Sequence, residues 1–363
     1  MTAVREEARN WGMWPNPATG YIREGAGFTE FLQYEQRLPV SGRLGHMRDA
    51  GAAAGNAAQQ QADFVRWGLV SELRSAYYAL LASQRREEII EAGLRQLDEV
   101  IRVLKLRESE GEGSAYDRLR AERERAELEG GLAGARSQTI ESRSRVETLL
   151  DASRNDEIRA QGRLDSDALL PPIEELFGRA IEMRGDLGAQ RELAKRFAAE
   201  RRAAERLRVP EPTLIAGLKR ADVGRRTEAA PFLVLTVPLP VFNRGQADIA
   251  RFRAEAERSH ARGDAIEQQI RSEVKAAHAN LTLRRQTVSE YRRRAYDQGL
   301  RLQQIARTAY EEGEAGILEL LDAYRITIQA GLRELELLSA SKQAEIELER
   351  TVGQPVLNRE VMP

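Results

Sequence analysis

Cysteine is absent from this chain of 363 residues. Its absence excludes disulfide bridges, thiolate-bound metal and cysteine nucleophiles, and it suits a periplasm without requiring one. Histidine is scarce: His46, His260 and His278 lie far apart, each is read as a surface or packing residue, and no metal-ligand spacing is present. Aromatics are only 6% of residues while Ala, Leu, Arg and Glu abound, which favours long helices over a large sheet. There is no surplus of either charge, and a net charge of −1 argues against nucleic acid as a main partner. No run reaches the ~18 apolar residues that a membrane helix needs. The longest, 232–242, is cut by Pro238 and Pro240. A signal peptide is lacking as well: Met1-Thr2-Ala3-Val4-Arg5 leads directly into polar helix, which taken alone reads as cytoplasmic and soluble. No glycine-rich phosphate loop follows a strand and no nucleophile motif sits in a fitting context, so no catalytic residue, cofactor site or metal site is assigned.

What is present is a pattern written twice. The apolar run 232–237 leads into Leu239-Pro240-Val241-Phe242-Asn243-Arg244 and then into a stretch almost free of helix breakers. Earlier, Phe31-Leu32 leads to Leu38-Pro39-Val40-Ser41-Gly42-Arg43 and another such stretch, at an offset of 201 residues. Ser71-Glu72-Leu73-Arg74-Ser75-Ala76-Tyr77 matches Ser272-Glu273-Val274-Lys275-Ala276-Ala277-His278 at the same offset of 201. A fixed period of this kind marks a repeated structural unit.

The unit can be read element by element. Residues 2–13 read as the end of a helix stopped by Trp14-Pro15-Asn16-Pro17, because proline cannot donate to the ladder and disfavours helix before it. Segments 18–23 and 28–37 read as a β-hairpin. Residues 44–109 read as one helix with an apolar stripe (Phe64, Leu69, Leu73, Tyr77, Leu80, Leu94, Leu97, Ile101, Leu104). At 1.5 Å per residue such a rod is roughly 100 Å long and needs lengthwise partners. A glycine tip, Gly111-Glu112-Gly113, then hands over to a helix at 116–150. The first repeat is thus 1–165, with its hairpin at 17–38. The second, 166–363, has a helix at 173–207 stopped by Pro210-Glu211-Pro212, strand candidates at 213–218 and 232–237 in a hairpin spanning 213–238, a long helix at 245–308, a tip at Gly313-Glu314 and a helix at 317–352. By this alignment the first copy lacks about 23 residues of its opening helix, so any signal peptide is expected upstream of Met1.

Trp14-Pro15-Asn16-Pro17, Val237-Pro238-Leu239-Pro240-Val241-Phe242-Asn243-Arg244-Gly245-Gln246 and the two tips resemble the TolC family of outer-membrane efflux channels over essentially the whole chain. The Pro-Leu-Pro-Val-Phe-Asn-Arg form is most similar to the heavy-metal and cation efflux branch. The resemblance implies a mainly α fold with a small β part: antiparallel helical hairpins forming a periplasmic tube, and four short strands per chain in a shared barrel of three chains. It implies a homotrimer in outer-membrane lipid, a periplasmic adaptor, an inner-membrane pump of the proton-driven resistance-nodulation-division type, and no chemistry of its own. Two hairpins cannot close a barrel alone, which agrees with a shared one.

The same resemblance places a periplasmic gate at the tips. Tyr310 matches the family's gate tyrosine, Glu319 and Asp322 its acidic positions, and Asp117 its aspartate; Ala315 stands where the family has a gate arginine. The bland reading of Glu319 and Asp322 is solvated helix charge, worth little. Pro39, Gly42, Arg43, Pro240, Asn243 and Arg244 are read as structural strand-to-helix turns. The competing readings are a type I secretion or drug-efflux channel of the same family, and a soluble coiled-coil structural or adaptor protein.

Overall fold

The computed structural model describes residues 6, 10–25, 29–150, 158–166, 168–222, 224 and 226–357. Of the helix end expected at 2–13 only residues 6 and 10–13 are described, and residues 151–157 lie outside the described residues. Contacts divide the chain into two compact units, residues 1–65 with 184–269 and residues 66–183 with 270–363. Each unit draws on both expected repeats, because two of the three divisions fall inside long helices.

The first unit holds a four-stranded antiparallel sheet of order β1-β2-β3-β4. Its strands are β1 (Ala18–Glu24), β2 (Thr29–Arg37), β3 (Thr213–Asp222) and β4 (Thr227–Thr236). β2 pairs with β3 from Thr29↔Ala221 to Arg37↔Thr213, so hairpins far apart in sequence lie side by side. Within the second hairpin the strands are longer than expected, taking in Lys219 to Asp222 and Thr227 to Pro231. These polar and proline residues sit at the hairpin end or on an edge strand, where the ladder tolerates them. They bring both strands to 10 residues, the length a membrane-crossing strand needs.

Beside the sheet, the first part of α1 (Arg43–Ser109) runs close to α4 (Gly185–Glu205). Small side chains permit the approach. Ala50, Ala53, Ala54 and Ala57 on α1, and Ala189, Ala199, Ala203 and Ala204 on α4, are all buried. A Cβ on Gly185 would stand 2.2 Å from the Gln60 carbonyl.

The second unit packs the rest of α1 with α2 (Ala115–Leu150), α3 (Ile173–Met183), α6 (Asp297–Glu311) and α7 (Ile317–Val352). One cluster joins Leu97, Ile101 and Leu104 to Ala121, Ile317, Leu320 and Tyr324; another joins Leu80, Leu81 and Val146 to Leu164 and Leu335. The irregular stretch after α2 is tied down: the Tyr77 hydroxyl accepts from the Gln161 N–H at 2.9 Å and donates to its carbonyl at 2.9 Å.

Two helices differ from expectation. The helix expected at 173–207 breaks at Arg184, whose ψ of 113° is extended. The break lets Arg184 pair with Asp186 at 2.6 Å and puts Gly185 against α1. The helix expected at 245–308 is α5 (Gln246–Tyr291) followed by a π-helical turn at Arg292–Tyr296 and then α6. There the Arg292 guanidinium bonds Glu334, a partner that periodicity could not reveal. Among the described residues no helix is long and apolar enough to cross a membrane.

Candidate functional site

The register of the sheet sorts its side chains into two faces. On one face the rows across β1 to β4 are Tyr21-Leu32-Leu218-Pro231, Thr19-Tyr34-Ala216-Leu233 and Gln36-Leu214-Leu235. This face is apolar and open: Leu233 is 71% exposed, and Tyr21, Leu32, Leu218 and Leu235 are also exposed. The other face carries Gln33, Glu35, Arg37, Lys219 and Glu228 among Ile22, Phe31, Ile215 and Phe232. The Phe31 and Phe232 rings meet edge to face there at 5.8 Å, over Gly217. A soluble sheet buries its apolar face and wets its polar one; here the apolar face has no cover. With strands rising ~3.4 Å per residue, the outer two of these three rows are about 14 Å apart along the strands.

At the helix-side end of the sheet the two prolyl turns are built alike. The Val40 and Val241 amides each donate to the carbonyl two residues back, Leu38 and Leu239, at 2.9 Å, closing a tight turn around Pro39 and Pro240. A side-chain oxygen then holds the amide two residues on: Ser41 Oγ accepts from Arg43 at 3.2 Å, and Asn243 Oδ1 from Gly245 at 3.0 Å. Arg43 and Arg244, which match by sequence, are not structural equivalents. Arg43 opens α1, whereas Arg244 stays in the turn, bonding the Pro240 carbonyl at 3.3 Å. The sequence reading missed Glu211. It is 9% exposed between Pro210 and Pro212, and its carboxylate accepts from Ser41 Oγ at 2.5 Å and pairs with Arg37 at 3.2 Å. One carboxylate thus locks the exit of the first hairpin to the entry of the second. A charged residue between two prolines was the available signal.

The two helical tips, both in the second unit, also share one construction. Gly111 and Gly313 each have φ +78°. In the first, the Glu112 amide donates to the Arg107 carbonyl at 2.9 Å and Gly111 to Glu108 at 3.1 Å; in the second, Glu314 donates to Ala309 at 2.8 Å and Gly313 to Tyr310 at 3.2 Å. Both are helix terminations in which a left-handed residue closes the last turn. Gly113 turns tightly back on Arg107 and Glu108.

Of the expected gate residues, Tyr310 packs against the Leu104–Ile317 cluster, and the Arg107 guanidinium lies 5.2 Å from its ring centroid. No hydrogen bond joins Tyr310 to Asp117 within the chain; its hydroxyl accepts from Arg107 at 3.5 Å. Asp117 and Glu319 lie in the first turns of α2 and α7, where the helix dipole favours acids. Asp322 is exposed and paired with Arg325. Residues 107–118 and 310–325 hold nine carboxylates against three guanidiniums. Some are neutralised: Arg118 bridges Glu108 at 2.6 Å and Glu122 at 2.8 Å, and these bonds raise its pKa. Behind the tip, burial pushes the Tyr324 hydroxyl above its ordinary value, and Arg307 beside it opposes the shift. Among the described residues no group of three or more acids or histidines is arranged to hold a metal ion.

No family model matches the chain. It is 24% identical over 348 residues to the cobalt-zinc-cadmium resistance protein CzcC of Cupriavidus metallidurans, covering 93% of this chain and 81% of that one. Three solved structures share its fold. CusC, studied for its transmembrane channel formation, matches with a TM-score of 0.75 at 19% identity, over 97% of this chain and 87% of CusC. The open state of the Neisseria gonorrhoeae MtrE outer-membrane channel matches with a TM-score of 0.76 at 16% identity, over 98% and 84%. The outer-membrane channel OprN matches with a TM-score of 0.72 at 19% identity, over 97% and 84%. The fold is therefore that of the outer-membrane channels, in which a small strand-built part joins long helical hairpins. The motifs that carry the resemblance to the TolC family, and the similarity to CzcC, agree with that fold.

Proposed function

We propose that this chain is the exit duct of a tripartite efflux system, assembled as a homotrimer and carrying heavy-metal cations outward. The observation that carries the reading is the uncovered apolar face of the sheet, with charges confined to the opposite face and the hairpin ends. Lipid tolerates strands only in a closed barrel. Four strands leave β1 and β4 as open edges, so sister copies supply the missing strands and the apolar faces meet lipid. A periplasmic adaptor and an inner-membrane pump of the resistance-nodulation-division type supply cargo and free energy. Heavy-metal cargo is supported by the relationship to a cobalt-zinc-cadmium resistance protein.

The tips are the proposed periplasmic gate. Threefold symmetry multiplies Glu319, Asp322 and Asp117 into rings of carboxylate, which favour cations over anions. Tyr310 is held within its own chain by Arg107, so a tyrosine–aspartate contact in the gate must be made between tips.

Arginine substitution on the two faces tests the reading. Leu233→Arg puts a charge at the lipid midplane, at about 2–4 kcal/mol, and is expected to abolish heat-modifiable trimers in the outer-membrane fraction. Gln33→Arg, on the opposite face, is expected to leave them. Equal tolerance of both substitutions refutes the membrane face.

A further inference from the structure

Above the apolar band, on the same face and at the hairpin end, lies one charged row: Arg23 on β1, Glu30 on β2 and Arg220 on β3, directly paired across the strands. Arg23 and Arg220 are exposed. Neighbouring strands are ~4.8 Å apart, so their backbones are about 10 Å apart, on either side of Glu30. The Tyr21 hydroxyl in the row below donates to Glu30 Oε1 at 2.6 Å and draws that carboxylate toward the apolar band. Arg220 makes no ion pair among the described residues, whereas Lys219, one residue away, is spent on the other face over the Phe31 ring at 5.4 Å.

The level of this row in a membrane is fixed by the rest of the chain. The helices leave the sheet at the Pro39 and Pro240 end, so the hairpin ends lie on the far side of the bilayer. An arginine at the upper limit of an apolar band extends its stem along the hydrocarbon and its guanidinium into the headgroup layer. A guanidinium offers a planar fork of N–H donors that matches phosphate oxygens. We propose that Arg23 and Arg220 form a clamp for the phosphorylated headgroup of an anionic lipid in the outer leaflet, with Tyr21 holding the Glu30 carboxylate between them toward the apolar band. This inference rests on the membrane reading of the sheet and names its lipid contact.

The full-length protein reconstituted into phosphatidylcholine vesicles, with and without added phosphatidylglycerol, provides the test. Lipid retained after detergent extraction is counted by native mass spectrometry. Retention of phosphatidylglycerol over phosphatidylcholine is expected, falling about fivefold for each of Arg23→Gln and Arg220→Gln, as ~1 kcal/mol per surface cation implies. Lys219→Gln, at the same height on the other face, is expected to change nothing. Inserted protein with no preference, an unchanged double variant, or displacement of phosphatidylglycerol by millimolar inorganic phosphate overturns the clamp alone. Protein that resists extraction from neither kind of vesicle overturns the membrane reading together with it.

Discussion

Glu349 is 1% exposed, and its polar atoms join three segments of the helical unit. Its carboxylate pairs with Arg74 at 2.5 Å and accepts from the Val356 amide at 3.0 Å, while its carbonyl accepts from the Trp67 indole at 3.2 Å. The Arg74 Nε and Nη1 atoms are buried without a partner. A charge so placed depends on its counter-ion. Glu349→Ala is expected to lower stability by about 3–5 kcal/mol, read from the midpoint of the helical circular-dichroism signal in denaturant. The double change Glu349→Leu with Arg74→Met is expected to cost far less, because it removes the desolvation penalty along with the pair. At the tips, Gly313→Ala is expected to cost about 1–2 kcal/mol, since L residues resist φ +78°. Faster amide exchange at Glu314, whose N–H closes that turn, would show it; unchanged exchange would mean that another contact holds the tip.

Elements were legible in the sequence where one local rule governs them. Proline and the apolar stripe marked the start of α1 at Arg43, and glycine its end at Ser109. The rule fails where a distant partner decides. Arg184 breaks α3 from α4 to meet Asp186 and to seat Gly185 on Gln60, and Arg292 turns π-helical beside Glu334. The strands after Pro212 were read short, because Lys219 to Ala221 look like loop until pairing with β2 carries them. At the candidate gate the positions of Glu319 and Asp322 were legible, but their surroundings were not: Arg325 on Asp322 and Arg107 on Tyr310 emerge only from the packed helices. For the tip as an element, the gate proposal predicts that Glu319→Ala with Asp322→Ala raises the conductance of closed channels in planar bilayers and weakens cation selectivity. Unchanged conductance would remove these residues from the gate.

For the whole molecule, the absence of cysteine makes the proposed seam between copies directly testable. Within one chain β1 and β4 are separated by three strand spacings, about 14 Å, beyond the reach of a disulfide. Thr19→Cys combined in turn with Ala229→Cys, Leu233→Cys and Leu235→Cys keeps both thiols on the apolar face. At least one pair is expected to oxidise into covalent trimers; a ladder that stops at dimers, or no ladder in any pair, contradicts a three-chain ring. Pro231 bears on the same border from another direction. It stands in the middle of β4, on the outer edge, and lacks an amide hydrogen. A stray strand laid along that edge would find one rung gone, so in the proposed assembly runaway polymerisation of lone subunits is discouraged at a border kept bare for its proper neighbour.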